Sequence, residues 1–385
     1  MTKRKTIIID DAIPFAEAMF QHLGNIQRMP GKAINREAAL TADALIIRSR
    51  TDINASLLIN SNVSFVGSTV VGLDHVDQDY LARNNIHFYS AQGCNANSVA
   101  EYIITCLLIM AEKHQFDLAS KTIGIIGVGH VGSLVAIKAK ALGMTCLLND
   151  PPKVEKHPEL ALNNEYSNLD DCLKADIITV HTPLTFDGDH PTANLLSEAR
   201  LSKIQPHQIL MNAARGGIIN EQAWCKTQTL ANIIDCWENE PEINKALYQT
   251  ADIATPHIAG HSLDAKIAGT LMVYQALCVF WAIKPQTEWQ KSLPSLPPPF
   301  HLPENLNESN QRSLFKITTH THNPLDDDRA IRSEHIATLH TKYEKYRRNF
   351  PVYREWRHHT IVSTPHKKIS KALISLDFKV NPNPN

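Results

Sequence analysis

Short apolar runs alternate with helix-length amphipathic stretches along most of this chain. Over residues 5–97 the runs are Thr6–Ile9, Ala44–Ile47, Phe65–Val66 and His87–Tyr89, with helical patterns around 14–23, 35–40, 54–59 and 76–83. Strand-length runs separated by helix-length segments predict a parallel sheet joined by crossover helices. Ser98-Val99-Ala100-Glu101 then has the form of a capping box and predicts a long buried helix over 99–113. From 122 the alternation resumes, with strands expected at Thr122–Ile126, Thr145–Leu148, Ile177–Val180, Ile209–Asn212, Ile233–Asp235 and Ile253–Ala254, and a second long helix over 262–284. Leu293-Pro294-Ser295-Leu296-Pro297-Pro298-Pro299 reads as a semi-rigid extended linker. Beyond it the chain is polar, and strand-like stretches at Thr360–Ser363 and Ala372–Phe378 suggest a small α+β module.

Bulk properties narrow the function without naming it. The chain has 385 residues and a formal net charge of −1, so no global field favours nucleic acid or an anionic membrane. Its seven cysteines are odd in number and form no C-x-x-C pair, which fits a reduced, cytoplasmic protein. The apolar run near the N-terminus is too short for a signal segment, and the apolar stretch Leu271–Ile283 falls short of a membrane span. A soluble globular protein with no nucleic-acid or membrane partner is the expectation.

The first specific chemistry is Gly127-Val128-Gly129-His130-Val131-Gly132. It follows an expected strand, opens an expected helix, and a second strand then ends at Asp150. Strand, tight turn, helix, strand and acid together form a dinucleotide-binding unit: the glycines let the backbone approach a pyrophosphate, and the helix N-terminus binds it. A carboxylate at Asp150 would take the ribose hydroxyls and repel a 2′-phosphate, which predicts NAD rather than NADP.

Three charged residues share a second pattern, since each follows an expected strand: Arg215 in Asn212-Ala213-Ala214-Arg215-Gly216-Gly217, Glu240 before Pro241, and His257 after Pro256. In a parallel sheet such loops gather at one edge, where ligands bind. Oxidising a 2-hydroxy acid needs a base for the hydroxyl proton, a carboxylate to orient that base and a guanidinium to hold the substrate carboxylate. Those residue types suit the three roles in the order His257, Glu240, Arg215. Asp235, at the end of an apolar run, is either a strand-end cap or a contact to the nicotinamide end of the cofactor. His257 and His261 also form H-x-x-x-H, but the motif lacks an internal Glu, and Pro256 and Gly260 argue against a helix there, so no metal is expected.

With the mid-chain fingerprint, His181-Thr182-Pro183-Leu184 and the Arg/Glu/His set, the sequence resembles the D-isomer-specific 2-hydroxyacid dehydrogenases. Arg48-Ser49-Arg50-Thr51, Gly72–Asp77, Gly93–Ala96, Asp150-Pro151-Pro152 and His257–Gly260 point to a subgroup acting on a small phosphorylated hydroxy acid. The resemblance implies an α/β fold: a Rossmann-type NAD domain (98–264) inserted in a flavodoxin-like α/β substrate domain (1–97 and 265–290). A linker (291–304) and a small C-terminal α+β dimerisation domain (305–385) would follow, giving a homodimer. It assigns Arg215, Glu240 and His257 to catalysis, Gly127, Gly129, Gly132, Asp150, Thr182, Asp235 and Gly260 to NAD, and Ser49, Val70 and His261 to substrate. Val70 stands where the family has Thr, His261 where it has Tyr, and Gln92 where it has Pro. The alternatives are a dehydrogenase for another acid, such as 3-phosphoglycerate or glyoxylate, and a non-catalytic NAD(H)-sensing interaction protein. Arg347, Arg348 and Arg354 form either a solvated basic face or a reach into the partner subunit's cleft.

Overall fold

A computed structural model describes residues 4–162, 166–302, 309–332, 336–363 and 367–382. The ends of the chain, and the expected domain boundary at 304–305, lie outside the described residues. The chain divides into two compact units, Met1–Asn95 with Ser262–Ser295, and Ala96–His261 with Leu296–Asn385.

The first unit is built on five parallel strands, β1 (Thr6–Asp10), β2 (Asn25–Met29), β3 (Ala44–Ile47), β4 (Phe65–Ser68) and β5 (His87–Ser90), in the order β2-β1-β3-β4-β5. This is the flavodoxin-like order, and its direction of winding reverses between β1 and β3. β2 has no signature in the sequence: Asn25-Ile26-Gln27-Arg28-Met29 is a polar edge strand with no buried residue. Helix Leu263–Phe280 buries Val273, Tyr274, Leu277 and Cys278 against Ile7, Ile9 and Phe65. Close packing is built into the sheet, because a Cβ on Gly67 would lie 2.3 Å from the Val273 side chain. The stretch Leu271–Ile283 was expected to be too short for a membrane span; the helix as formed, Leu263–Phe280, is long and apolar enough by length and composition. One face of it, with Val273, Tyr274, Leu277 and Cys278, serves as core of this unit, while Val279 is exposed.

The second unit carries six parallel strands, β6 (Thr122–Ile126), β7 (Thr145–Asn149), β8 (Ile177–Val180), β9 (Ile209–Asn212), β10 (Ala231–Ile234) and β11 (Ile253–Ala254), in the order β11-β10-β9-β8-β6-β7. A lone parallel bridge, Leu148 to Tyr166, adds to the β7 side. Helix Ala96–His114 is buried along most of its length. The capping-box reading of Ser98–Glu101 is corrected here. The helix starts upstream of Ser98, whose hydroxyl donates instead to Glu355 at 2.6 Å, while Glu101 accepts the Trp356 N–H at 3.1 Å. Long-range partners have taken both polar side chains away from the local motif.

The described residues after Leu296 belong to this second unit, with Leu314, Ile317, Phe350 and Trp356 in its core. Phe300–His301, at the end of the expected linker, is strand β12, which pairs with β13 (Thr360–Ser363), and β13 pairs with β14 (Lys379–Pro382). Among the described residues four α-helices accompany them, Asn310–Thr321, Pro324–Ile331, Leu339–Arg348 and Lys367–Ser375. The run Ala372–Phe378 was expected to be a strand; it is the end of a helix followed by a left-handed turn at Asp377 (φ 73°). A short apolar run has no period that separates the two. Helix Pro324–Ile331 seals the open edge of the larger sheet: Asp328 accepts the β11 N–H of Ala254 at 2.7 Å, and Arg332 ties Asp328 to the Ala251 carbonyl. An edge strand left bare would invite pairing with another chain.

Candidate active site

The glycine turn shows three separate needs. Gly127 has φ +88°, and a Cβ there would lie 2.7 Å from the His181 carbonyl carbon, so the turn runs hard against the loop after β8. At Gly129 a Cβ would meet nothing within 4 Å, leaving open space at the N-terminus of helix His130–Ala141. A Cβ on Gly132 would lie 2.0 Å from the Gly127 carbonyl oxygen, so this glycine lets the helix pack on its own strand. Asp150 caps the next helix through Lys153 N at 3.0 Å and accepts the Val128 N–H at 2.8 Å. Lys153 completes the clamp by donating to the Val128 carbonyl at 2.8 Å. In the facing loop, Thr182 Oγ1 and His181 Nδ1 are buried without a hydrogen-bond partner. Burial drives the His181 imidazole down to about 3, so it is neutral at physiological pH.

The same edge of the sheet carries the His–Glu pair. His257 Nδ1 lies 2.9 Å and 3.1 Å from the two Glu240 carboxylate oxygens. A carboxylate can only accept, so Nδ1 carries a proton and turns Nε2 away from Glu240. Burial pushes the Glu240 carboxyl upward, but His257, the Trp237 N–H at 2.9 Å and the Arg347 charge outweigh it and bring it to about 2. Glu240 is therefore a fixed anion.

What holds His257 in place is Asp235, at the end of β10. His257 adopts a left-handed backbone (φ 55°), which a non-glycine residue keeps only when its surroundings impose it. Its N–H donates to the Asp235 carbonyl at 2.8 Å, and the buried Asp235 carboxylate accepts from Ile258 N (2.8 Å), Ala259 N (3.1 Å) and the Thr255 hydroxyl (2.7 Å). Tyr102 extends the chain by hydrogen bonding to Thr255 at 2.7 Å. Burial raises the Asp235 carboxyl above its ordinary value, against the pull of His257 and these donors. The strand-end-cap reading of Asp235 thus has direct geometry behind it. Gly260 lies in the turn that this network closes, where His261 N bonds Ile258 O at 2.8 Å.

Arg215 follows β9 in a loop folded tightly against Trp237, since a Cβ on neighbouring Gly216 would lie 2.1 Å from the Trp237 carbonyl oxygen. Its guanidinium donates to Ala214 O at 2.7 Å, and its charge reaches Cys236. Arg347, from helix Leu339–Arg348, donates to the His257 carbonyl at 3.2 Å within the same chain. Cys236, Glu240 and His257 place their ligand atoms within 4.8 Å of one another. Burial holds the Cys236 thiol well above its ordinary range. The two histidines of H-x-x-x-H are not a helical pair: the His261 ring packs edge-on against Phe350 at 5.8 Å.

The expected substrate residues divide between the units. Ser49 is exposed just after β3, and Val70 follows β4, where its carbonyl accepts from Ser68 and Ser90. His261 belongs to the second unit.

Residues 109–259 match the family described as D-isomer specific 2-hydroxyacid dehydrogenase, NAD binding domain. The chain is 57% identical over 380 residues to the erythronate-4-phosphate dehydrogenase of Hydrogenovibrio crunogenus, covering 99% of this chain and 100% of that protein. The chain belongs to the erythronate-4-phosphate dehydrogenase family. A second member, from Ruthia magnifica, is 46% identical over 91% of this chain and 96% of its own. Two solved structures show the same fold at lower identity. An NAD-dependent formate dehydrogenase from Staphylococcus aureus has a TM-score of 0.59 at 22% identity, over 74% of this chain and 98% of its own. A D-lactate dehydrogenase from Aquifex aeolicus has a TM-score of 0.60 at 20% identity, over 72% of this chain and 95% of its own.

The cofactor of this family is NAD, and the residues here fit it. The open space at Gly129, the carboxylate of Asp150 and the partnerless polar atoms of His181 and Thr182 are what a dinucleotide would engage. Sequence reasoning missed several supporting residues. Lys153, which reaches the Val128 carbonyl, belongs to no motif, and Trp237 donates its N–H to Glu240 from the backbone, which carries no sequence signal. Glu221, buried below the Glu238–Glu240 loop, accepts the Glu238 N–H at 2.7 Å. Burial, with the charges of Glu238 and Glu240, raises it to about 7.

Proposed function

We propose that this NAD-dependent dehydrogenase oxidises 4-phospho-D-erythronate at C2 to (R)-3-hydroxy-2-oxo-4-phosphobutanoate, a step of vitamin B6 synthesis. The observation that carries this reading is the His257–Glu240 pair at 2.9 Å, in a chain 57% identical to a relative bearing that enzyme's name. In this reading His257 Nε2 takes the hydroxyl proton of the substrate, and Glu240 stabilises the imidazolium as it forms. Arg215 clamps the substrate carboxylate through its planar fork. NAD, when bound, accepts the hydride released from C2. Asp235 keeps the His257 turn from relaxing out of its left-handed backbone.

The test is NADH formation from 4-phospho-D-erythronate beside 3-phosphoglycerate and glycolate, the hydroxy acid that corresponds to glyoxylate, at equal concentration. A kcat/KM for 4-phospho-D-erythronate at least ~100-fold above the others is expected, about the worth of two hydrogen bonds to one charged group. Equal or better use of 3-phosphoglycerate would overturn the assignment. The proposal also places the protein in the cytoplasm, supported by seven free cysteines, and makes it a homodimer, which light scattering on the full chain tests.

A further inference from the structure

The two loops that carry Arg215 and Glu240 meet through one buried side chain. Strands β9 and β10 pair in parallel, with Asn212 opposite Ile234 at their carboxyl ends, so residues 213–217 and 235–241 leave the sheet side by side. The backbone ladder ends there: the Asn212 carbonyl takes the Asp235 N–H at 2.9 Å and the Cys236 N–H at 3.3 Å. Beyond that point the spacing of the two loops must be fixed by side chains.

The Asn212 carboxamide is placed to fix it. Its Nδ2 donates to Arg215 O at 2.9 Å and to Cys236 O at 3.2 Å, which gives one hydrogen to each loop. Its Oδ1 accepts the Ala214 N–H at 3.0 Å. The amide can face only one way, because the two carbonyls can only accept and the N–H can only donate. Asn212 is 3% exposed, so water has little access to the tie. The loops it joins are in contact further out, where a Cβ on Gly216 would lie 2.4 Å from Glu238 N. The reacting groups are close by along the chain. Arg215 is itself held by its carbonyl, and Cys236 precedes Trp237, whose N–H fixes Glu240 at 2.9 Å.

We propose that Asn212 is a positioning residue: its carboxamide sets the spacing of the Arg215 and Glu240 loops, and so the place of the substrate carboxylate relative to the His257–Glu240 pair. The inference rests on the roles proposed above for Arg215 and Glu240. Asn212→Ser is the variant to test. A serine hydroxyl can still accept from Ala214 N–H two residues on, but it ends one bond short of the position from which Nδ2 reaches both carbonyls. Its kcat should fall about 10-fold and its KM for the hydroxy acid rise about 10-fold, together the ~10² that an ångström of misplacement costs at a reacting centre.

Double-mutant cycles separate this role from a merely structural one. In a Glu240→Gln background the further loss in kcat should shrink to within about twofold, and in an Arg215→Lys background so should the further rise in KM, because residues acting through one another are not additive. A structural role would instead lower Tm and repeat its full losses. Wild-type kcat and KM in Asn212→Ser, or full losses repeated in either background, would overturn the assignment. If the serine variant does not melt cooperatively, Asn212→Asp goes through the same cycles, since it keeps the shape and the Ala214 acceptor but sets an oxygen against two carbonyls. Failure of both variants to fold would overturn the assignment too. A wild type that prefers 3-phosphoglycerate or glycolate sinks the substrate reading alone, and cycles run on that acid still decide Asn212.

Discussion

Exchanging Glu240 for Gln alters the proposed catalytic pair while keeping its size and shape. The carboxyl falls from an ordinary 4.5 to about 2 in the folded chain, with burial opposing and His257, Trp237 N–H and Arg347 prevailing. At about 1.4 kcal/mol per unit, the ionised form is favoured by on the order of 3 kcal/mol. Because the folded value is depressed, that contribution is complete above 4.5 and is lost as pH falls through about 2, so near neutrality the exchange compares an anion with a neutral amide. In the proposed mechanism the anion stabilises the imidazolium that forms as His257 takes a proton, and losing it alone is worth ~10² in rate. A Gln that keeps the Trp237 N–H bond also turns its NH2 toward His257 Nδ1 and favours the unproductive tautomer, which raises the expected loss in kcat to ~10²–10⁴. Initial rates of NADH appearance at saturating substrates measure this, with NADH fluorescence titration as the control for binding. A Gln variant within about threefold of wild-type kcat would refute the dyad.

Other outcomes follow from particular contacts. Gly129→Ala places its methyl in open space, so thermal stability should hold while NAD affinity falls ~10-fold or more; Gly132→Ala drives a methyl into the Gly127 carbonyl and should lower Tm instead, both read by melting and NADH titration. Glu221 titrates at about 7 when folded against 4.5 ordinarily, so the unfolded chain ionises first and stability is lost as pH rises between those values. Glu221→Gln should therefore gain about 1–3 kcal/mol at alkaline pH and almost nothing at acid pH, and urea melts giving equal gains at both would contradict the cause assigned. Asp328→Ala strips the Ala254 N–H and Arg332 of their acceptor at the sheet edge and should cost about 2–3 kcal/mol in the same assay.

Much of the architecture was legible because buried parallel strands are written as continuous apolar runs. β3, β8, β9 and β11 fall on the residues the pattern marks, and the glycine turn sits between β6 and its helix as expected. What escaped was polar or ambiguous: β2, an edge strand with no buried residue, and the helix at 367–375 read as a strand. Ser98 and Glu101 misled for another reason, since a local motif cannot reveal partners more than two hundred and fifty residues away.

The sequence by itself determined the alternating α/β plan, the dinucleotide turn with its acid, and which Arg, Glu and His stand after strands. Each of these is local: a period, a spacing or a residue type beside a turn. Only the tertiary structure decided that Glu240 and His257 meet, that Asp235 locks the turn carrying His257, that Arg347 reaches that turn from the C-terminal helix, and that Asn212 joins the Arg215 and Cys236 carbonyls. Those contacts join segments distant along the chain. They exist because parallel strands deliver their following loops to one edge, and burial there makes each charge depend on the neighbours it is given.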